Sequence, residues 1–366
     1  MKTLAILLII SSLLFACSDF GYYSQSVGGH LSLMAKRQPI EEIITDLGQD
    51  RNLQEDLQSV LDIKVFAEET LALPVNDNFS TYVDTGRTYA VWNIVAAPAY
   101  SLAAKEWCYP VTGCLPYRGY YDKADAEKFA ETLRLQGLDV YTYGVPAYST
   151  LGWFEDPVLN TFLHYPQSAL AGLIFHELAH QVVFTESDGD FNEAFASTVE
   201  LEGVLRWVSA HQDESVKNTY LASRSREDDF NRLVESVRKK LLHCYDGRNE
   251  LAVKARQSCK SDAFLEMTTN YQQLKGAWAG YSGYDKWFEG GLNNARFVSV
   301  RTYRHLIPAF RELFRRNHHD FKLFYLAAQE LAALSYGERQ VEIRALLEAS
   351  SAENPLLLKA VPLTVK

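Results

Sequence analysis

A chain of 366 residues, 47% hydrophobic and 22% charged, has room for one large domain or two modest ones and is too apolar to be disordered or fibrous. Its formal net charge of −10, without any Lys/Arg-rich run, argues against nucleic acid as a partner.

Lys2 and an apolar run from Leu4 to Leu14 open the chain. The run is too short to cross a bilayer as a helix, which takes about 20 residues, and has the length of a signal-peptide core. It ends in Leu14-Phe15-Ala16-Cys17, which resembles the bacterial lipobox. Residues 1–16 are therefore expected to be a lipoprotein signal peptide and Cys17 the lipidated start of the mature chain; a plain secretory signal with a chance cysteine is the alternative. Ser18 after the cysteine points to the outer membrane, on its periplasmic side, as the place of anchoring. Setting Cys17 aside leaves Cys108, Cys114, Cys244 and Cys259, and an even number of thiols in an exported chain suggests disulfides. Proximity favours Cys108–Cys114 and Cys244–Cys259 among the three possible pairings.

Residues 17–34 read as an anchor followed by a Gly/Ser/Tyr-rich lead-in. Residues 38–72 carry helical apolar spacing (Ile40, Ile43, Ile44, Leu47, then Leu57, Val60, Leu61), enough for two helices. From Tyr82 the pattern turns β-rich, with Thr88–Val95 following an Asp84-Thr85-Gly86 turn. That stretch is a candidate edge strand for an extended peptide, or else an ordinary strand of the sheet. Residues 108–121 read as a looped hairpin closed by its own disulfide. Asp122 caps an amphipathic helix with Ala126, Phe129 and Leu133 on one face and Gly137 as its stop, before a strand at 140–143. Residues 166–183 and 192–211 are two apolar helices joined by a polar turn. A charged helical region fills 213–275, and three more helices fill 300–350, one begun by Pro308. The fold class expected is α+β, mainly helical, with a small antiparallel sheet in the first half.

The chemistry concentrates in His176-Glu177-Leu178-Ala179-His180. Residues four apart on a helix point about 40° apart, so both imidazoles can face one metal. Glu177 is offset by about 100°, outside that ligand pair and placed to act as a general base on an attacking water. Leu173, Ile174 and Phe175 before the motif and Val182 and Val183 after it make the helix apolar. Two imidazoles and a carboxylate there are costly to bury unless something satisfies them.

A third ligand is needed. The metzincin continuation fails, because Val183 and Glu186 stand where its Gly and third His belong. Glu193 is the candidate: if residues 187–190 turn the chain, it lies about one helical turn past the corner and His180 about a turn and a half before it. Asn192 is a natural N-cap for the second helix. Glu186, Asp188, Asp190 and Glu200 compete for the role. Glu186 and Asp188 read as solvated turn residues, and Asp190 as a cap or a partner of a ligand histidine.

HELAH followed by NEAFA resembles the gluzincin pattern of thermolysin-like and aminopeptidase N-like enzymes. The chain is more closely similar to a family of bacterial zinc-dependent aminopeptidases, secreted or lipid-anchored. The similarity lies in the segments 107–121 (WCYPVTGCLPYRGYY), 152–159 (GWFEDPVL), 173–184 (LIFHELAHQVVF), 190–203 (DFNEAFASTVELEG) and 292–310 (LNNARFVSVRTYRHLIPAF). The resemblance implies a zincin-like fold and a metallopeptidase acting on peptides, with Zn2+ at His176, His180 and Glu193. Residues 17–366 would then form one peptidase domain, with 17–160 mixed α/β and 161–366 mainly helical and carrying the metal site.

Two features depart from the better-known enzymes. The gap from His180 to Glu193 is shorter, and the GxMEN motif that holds a substrate's free amine is absent. Glu155 and Asp156 are candidates to replace it, or else form a turn before Pro157. Tyr303 is the candidate donor to the oxyanion, in competition with the rest of the 21 tyrosines. An endopeptidase on the same site, or a non-catalytic envelope binding or assembly factor with a structural metal, is the rival reading. If Cys17 carries lipid, the protein should fractionate with membranes and Cys17→Ala should move it to the soluble envelope fraction; identical fractionation of the two would contradict the anchor.

Overall fold

The structure is a computed structural model that describes residues 21–109, 113–147, 155–186, 188–211, 213–246, 253–300 and 303–353. The leader and Cys17 lie outside the described residues, as do Trp153 and Phe154.

The described chain starts with helix α1 (residues 21–34), within the stretch read as a Gly/Ser/Tyr-rich lead-in. The short strand β1 (Gln38–Pro39) leads into α2 (Ile40–Thr45) and α3 (Arg51–Glu69). Asp50 caps α3 by accepting from the amides of Asn52 and Leu53, and Leu57, Val60, Ile63 and Ala67 bury one stripe of it.

Among the described residues three small sheets follow instead of one. β2 (Thr81–Val83) pairs antiparallel with β1 and parallel with β8 (Val158–Leu159), Tyr82 standing opposite Val158. A parallel pair needs a long crossover, and the second sheet lies within it. There β3 (Val91–Pro98) runs antiparallel between β6 (Arg118–Tyr120) and β7 (Leu138–Val145). β3 is therefore the central strand of its sheet, the second of the two positions open to it and not the edge, since its backbone groups pair on both sides. The segment 108–121 also divides. β4 (Trp107–Tyr109) and β5 (Gly113–Leu115) form the hairpin with Cys108 opposite Cys114 and bonded to it, while β6 leaves to join β3.

Asp122 caps α4 (Lys123–Leu135) through the amides of Ala124 and Asp125. Ala126, Ala130 and Leu133 are its buried face, and Gly137, at φ +81°, turns the chain into β7. After α5 (Asn160–Leu163) come the two helices that hold the motif, α6 (Gln167–Ala179) and α7 (Gly189–Ala210). The long hairpin of α8 (Glu214–Tyr245) and α9 (Val253–Ala277) is stapled by Cys244–Cys259. The short helices α10 (Asp285–Phe288) and α11 (Asn294–Ser299) precede a 3-10 turn at Tyr303–Leu306. Then α12 (Ile307–Arg316), with Pro308 in its first turn, α13 (Phe321–Ala333) and α14 (Tyr336–Glu353) follow. The described chain is α+β and mainly helical, as expected.

The largest core joins α2 and α3, the first sheet, α6, α7 and α12–α14. α6 and α7 approach so closely that a Cβ on Gly203 would lie 2.9 Å from both Leu71 and Phe175, two fully buried side chains. Alanine there gains about 1 kcal/mol of helix propensity, but overpacking costs about 1–3 kcal/mol, so the missing side chain favours the fold. Buried Asn294 ties α11 to the second sheet by donating to the carbonyls of Pro98 and Ala99, and Asp139 on β7 accepts from its amide and from Lys260 of α9.

Candidate metal centre

α6 buries Leu170, Ala171, Ile174, Phe175, Leu178 and Ala179 and stops sooner than its apolar sequence suggested. His180 is its C-cap residue, with φ −60° and ψ −20°, and the amides of Gln181 and Val182 tighten into bonds with the carbonyls of Leu178 and Ala179. The HExxH motif thus straddles the end of the helix, where the chain turns toward α7.

The corner is built by residues that local sequence preference misassigned. Asp188, expected in solvent, is buried and is the N-cap of α7, accepting from the Phe191 amide. Its other oxygen accepts from Arg339 Nε at 2.9 Å, and both side chains are only 5% exposed. Asn192, expected as the cap, lies inside the first turn instead. Its amide side chain donates to the Thr185 carbonyl and accepts from the Thr185 amide, both at 2.8 Å. This clamp closes the loop from both sides and fixes the direction of the next residue, Glu193. Glu186 is exposed, as expected of a turn.

Three ligand-type side chains converge as a result. His176 Nε2 and His180 Nε2 are 3.2 Å apart; Glu193 brings Oε2 to 3.5 Å from the first and Oε1 to 4.0 Å from the second. Their candidate ligand atoms lie within 4.8 Å of one another, the one such His/Cys/Asp/Glu group among the described residues. Glu200, weighed as a rival third ligand, sits on the opposite side of the ring, with Oε2 3.4 Å from His176 Nδ1. A proton on Nδ1 directed at that carboxylate leaves the Nε2 lone pair facing the cluster. Arg224 of α8 donates to Glu200 at 3.0 Å, and Gly172, one turn before His176, leaves the slot in which Glu200 lies. Sequence reading missed this orienting role, although Glu193 and Glu200 are seven apart on α7 and so share a face.

Protons satisfy this arrangement poorly. Burial pulls the His176 pKa down, but hydrogen bonds to Glu193 and Glu200, with the Glu200 and Glu177 charges, lift it to about 10. Burial and then the charge of His176 push His180 down to about 4, against the pull of Glu193. One proton is therefore held by the pair, and the buried Nδ1 of His180 has no hydrogen-bond partner among the described residues. A divalent cation would take both Nε2 lone pairs and a carboxylate oxygen together, so the donor set fits a metal better than it fits protons.

Glu177 is half-buried beside His176 on α6. Tyr303 begins the 3-10 turn that packs on α7, and its side chain lies outside what the structure describes. Glu155 is exposed and 3.8 Å from Arg37. Asp156 is buried, its amide donating to Asn78 and its carbonyl accepting from Phe79. Both residues lie just before β8.

The described chain is thus mainly helical α+β, and its adjoining helices α6 and α7 gather two histidines and a glutamate that could hold a metal ion. The family model described as "Putative aminopeptidase" matches residues 21–343, and the chain belongs to that family. It is thus a peptidase by family, with peptides as substrates. Neither the curated proteins nor the solved structures include a match.

Cation binding should carry the signature of the shared proton. The metal-free pair holds it and the loaded pair cannot, so raising the pH favours loading. Between the two imidazole pKa values, affinity should rise about tenfold per pH unit and one proton should leave per cation bound. Glu200→Gln should weaken binding by about 10–100-fold. Chelator competition at several pH values measures both, and a pH-independent affinity would contradict this account of the site.

Proposed function

We propose that the protein is a zinc-dependent aminopeptidase of the cell envelope, held there by lipid on Cys17. The observation that carries the reading is the convergence of His176, His180 and Glu193 beside Glu177, in a chain of an aminopeptidase family. When bound, zinc supplies Lewis acidity to the peptide carbonyl and to the attacking water. The chain supplies the rest. Glu177 takes the proton of that water and delivers it to the leaving amine. Glu200, steadied by Arg224, keeps the proton of His176 on Nδ1. Tyr303, on the turn against α7, is the proposed donor to the developing oxyanion.

A purely structural metal would have no use for Glu177, which favours catalysis over a binding or assembly role. The absent GxMEN motif keeps an endopeptidase as the second reading. Among the described residues no helix is long and apolar enough to cross a membrane.

His176→Ala and His180→Ala should lose zinc, whereas Glu177→Gln should keep it and lower kcat by about 10²–10⁴-fold. Free-amine peptides should be shortened one residue at a time, and N-acetylation should abolish cleavage. Near-normal turnover by Glu177→Gln would overturn the mechanism, and cleavage inside an acetylated peptide would make the enzyme an endopeptidase.

A further inference from the structure

Helix α1 is docked by one face and bare on the other. On the docked face Tyr22 lies under the Arg118 guanidinium, 3.8 Å from ring centre to Cζ, and stacks on Tyr109. Gln25 donates to the Gly119 carbonyl and accepts from the Tyr121 amide, so one side chain pairs with the outer edge of β6 as a strand would. A Cβ on Gly29 would fall 2.2 Å from the Tyr121 ring, and Leu33 is buried in the main core. The helix is thereby fixed on the body of the protein.

Its outer face is apolar in water. Tyr23, Val27 and Leu31, one turn apart, are 40%, 57% and 60% exposed. Between them lie exposed Ser24, Gly28 and Ser32. Residues 21–35 contain no Asp, Glu, Lys or Arg, although a chain with 22% charged residues would place roughly three in that length. A scattered exposed hydrophobe needs no explanation, but an aligned, charge-free stripe does.

We propose that this face lies on the surface of the lipid bilayer that receives the Cys17 anchor. The inference rests on the lipid reading of Cys17 and is independent of the zinc reading. Four residue steps separate Cys17 from Gly21, a reach of at most about 14 Å, so the first turn of α1 cannot leave the headgroup region. The stripe from Tyr23 to Leu31 runs about 12 Å along a helix of about 21 Å, too short to span and suited to lie flat. Tyr23, nearest the anchor, has the apolar ring and polar tip that settle at headgroup level. Exposed Lys36 follows the helix, where an anionic headgroup would meet it. Elsewhere the chain is acidic, with a net charge of −10, so a charge-free face is the one suited to approach an anionic membrane. A second copy could cover the same stripe, but the tether brings the bilayer within reach of every molecule.

The test uses the full mature lipoprotein with Val27→Cys carrying an environment-sensitive fluorophore, in vesicles of phosphatidylethanolamine and phosphatidylglycerol. Val341→Cys on α14, at a position 63% exposed, is the control. On vesicles the probe at 27 should shift to the blue and lose quenching by aqueous iodide, while the probe at 341 does neither. Flotation reads the anchor separately. Protein that fails to float overturns the lipid reading and this proposal together. Protein that floats with the probe at 27 still fully quenched overturns the proposal and leaves the anchor standing. A blue shift on concentrating the unlipidated Cys17→Ala form, without vesicles, would assign the face to another copy of the chain and overturn it as well.

Discussion

The close packing of α6 on α7 is the constraint on which the site depends. Gly203 lets the helices meet at Phe175, and Gly172 leaves the space that Glu200 occupies. Between those contacts, polar and ionisable groups from both helices enter an interior that is otherwise apolar. Such groups are costly to bury unless each finds a partner. Here His176 is held from both sides, by Glu193 on Nε2 and by Glu200 on Nδ1. His180 Nε2 faces the same point, 3.2 Å from His176 Nε2 and 4.0 Å from Glu193 Oε1, so the three side chains form a donor set of the kind a cation could bind.

Distant parts of the chain hold this corner in place. The Asp188–Arg339 pair links the cap of α7 to α14, 151 residues away. Removing one member of so buried a pair costs about 3–5 kcal/mol, because the remaining charge stays desolvated. The 3-10 turn at Tyr303–Leu306 packs on the same helix, and Arg224 brings α8 to Glu200. The helical second half is therefore connected to the ligand histidines through specific polar contacts and not by apolar packing alone.

Much of this was legible in the sequence where the deciding forces are local. The cap Asp122, the stop at Gly137, the two nearest-neighbour disulfides and the i, i+4 histidines all depend on residues close together. The misreadings share the opposite property. Asp188 and Asn192 are both good helix caps by composition, and a partner 151 residues on decides between them. The β-rich stretch at 88–95 leaves edge and interior positions open, and β6 and β7 arrive from elsewhere to cover both edges of β3. α6 ends at Ala179 because the chain must turn toward α7, which its apolar periodicity does not reveal. Helix α1 lacks a helical signature because its face is chosen by what it docks on, including Tyr121 against Gly29.

The central claim is that His176, His180 and Glu193 hold one zinc ion. X-ray absorption at the zinc edge, on protein purified without chelators, tests it directly. The account predicts one zinc per chain bound by imidazole nitrogen and carboxylate oxygen, with the imidazole signal reduced in Glu193→Ala only through loss of metal. A first shell containing sulfur, a shell of oxygen alone, or zinc retained at full occupancy in His176→Ala would contradict it.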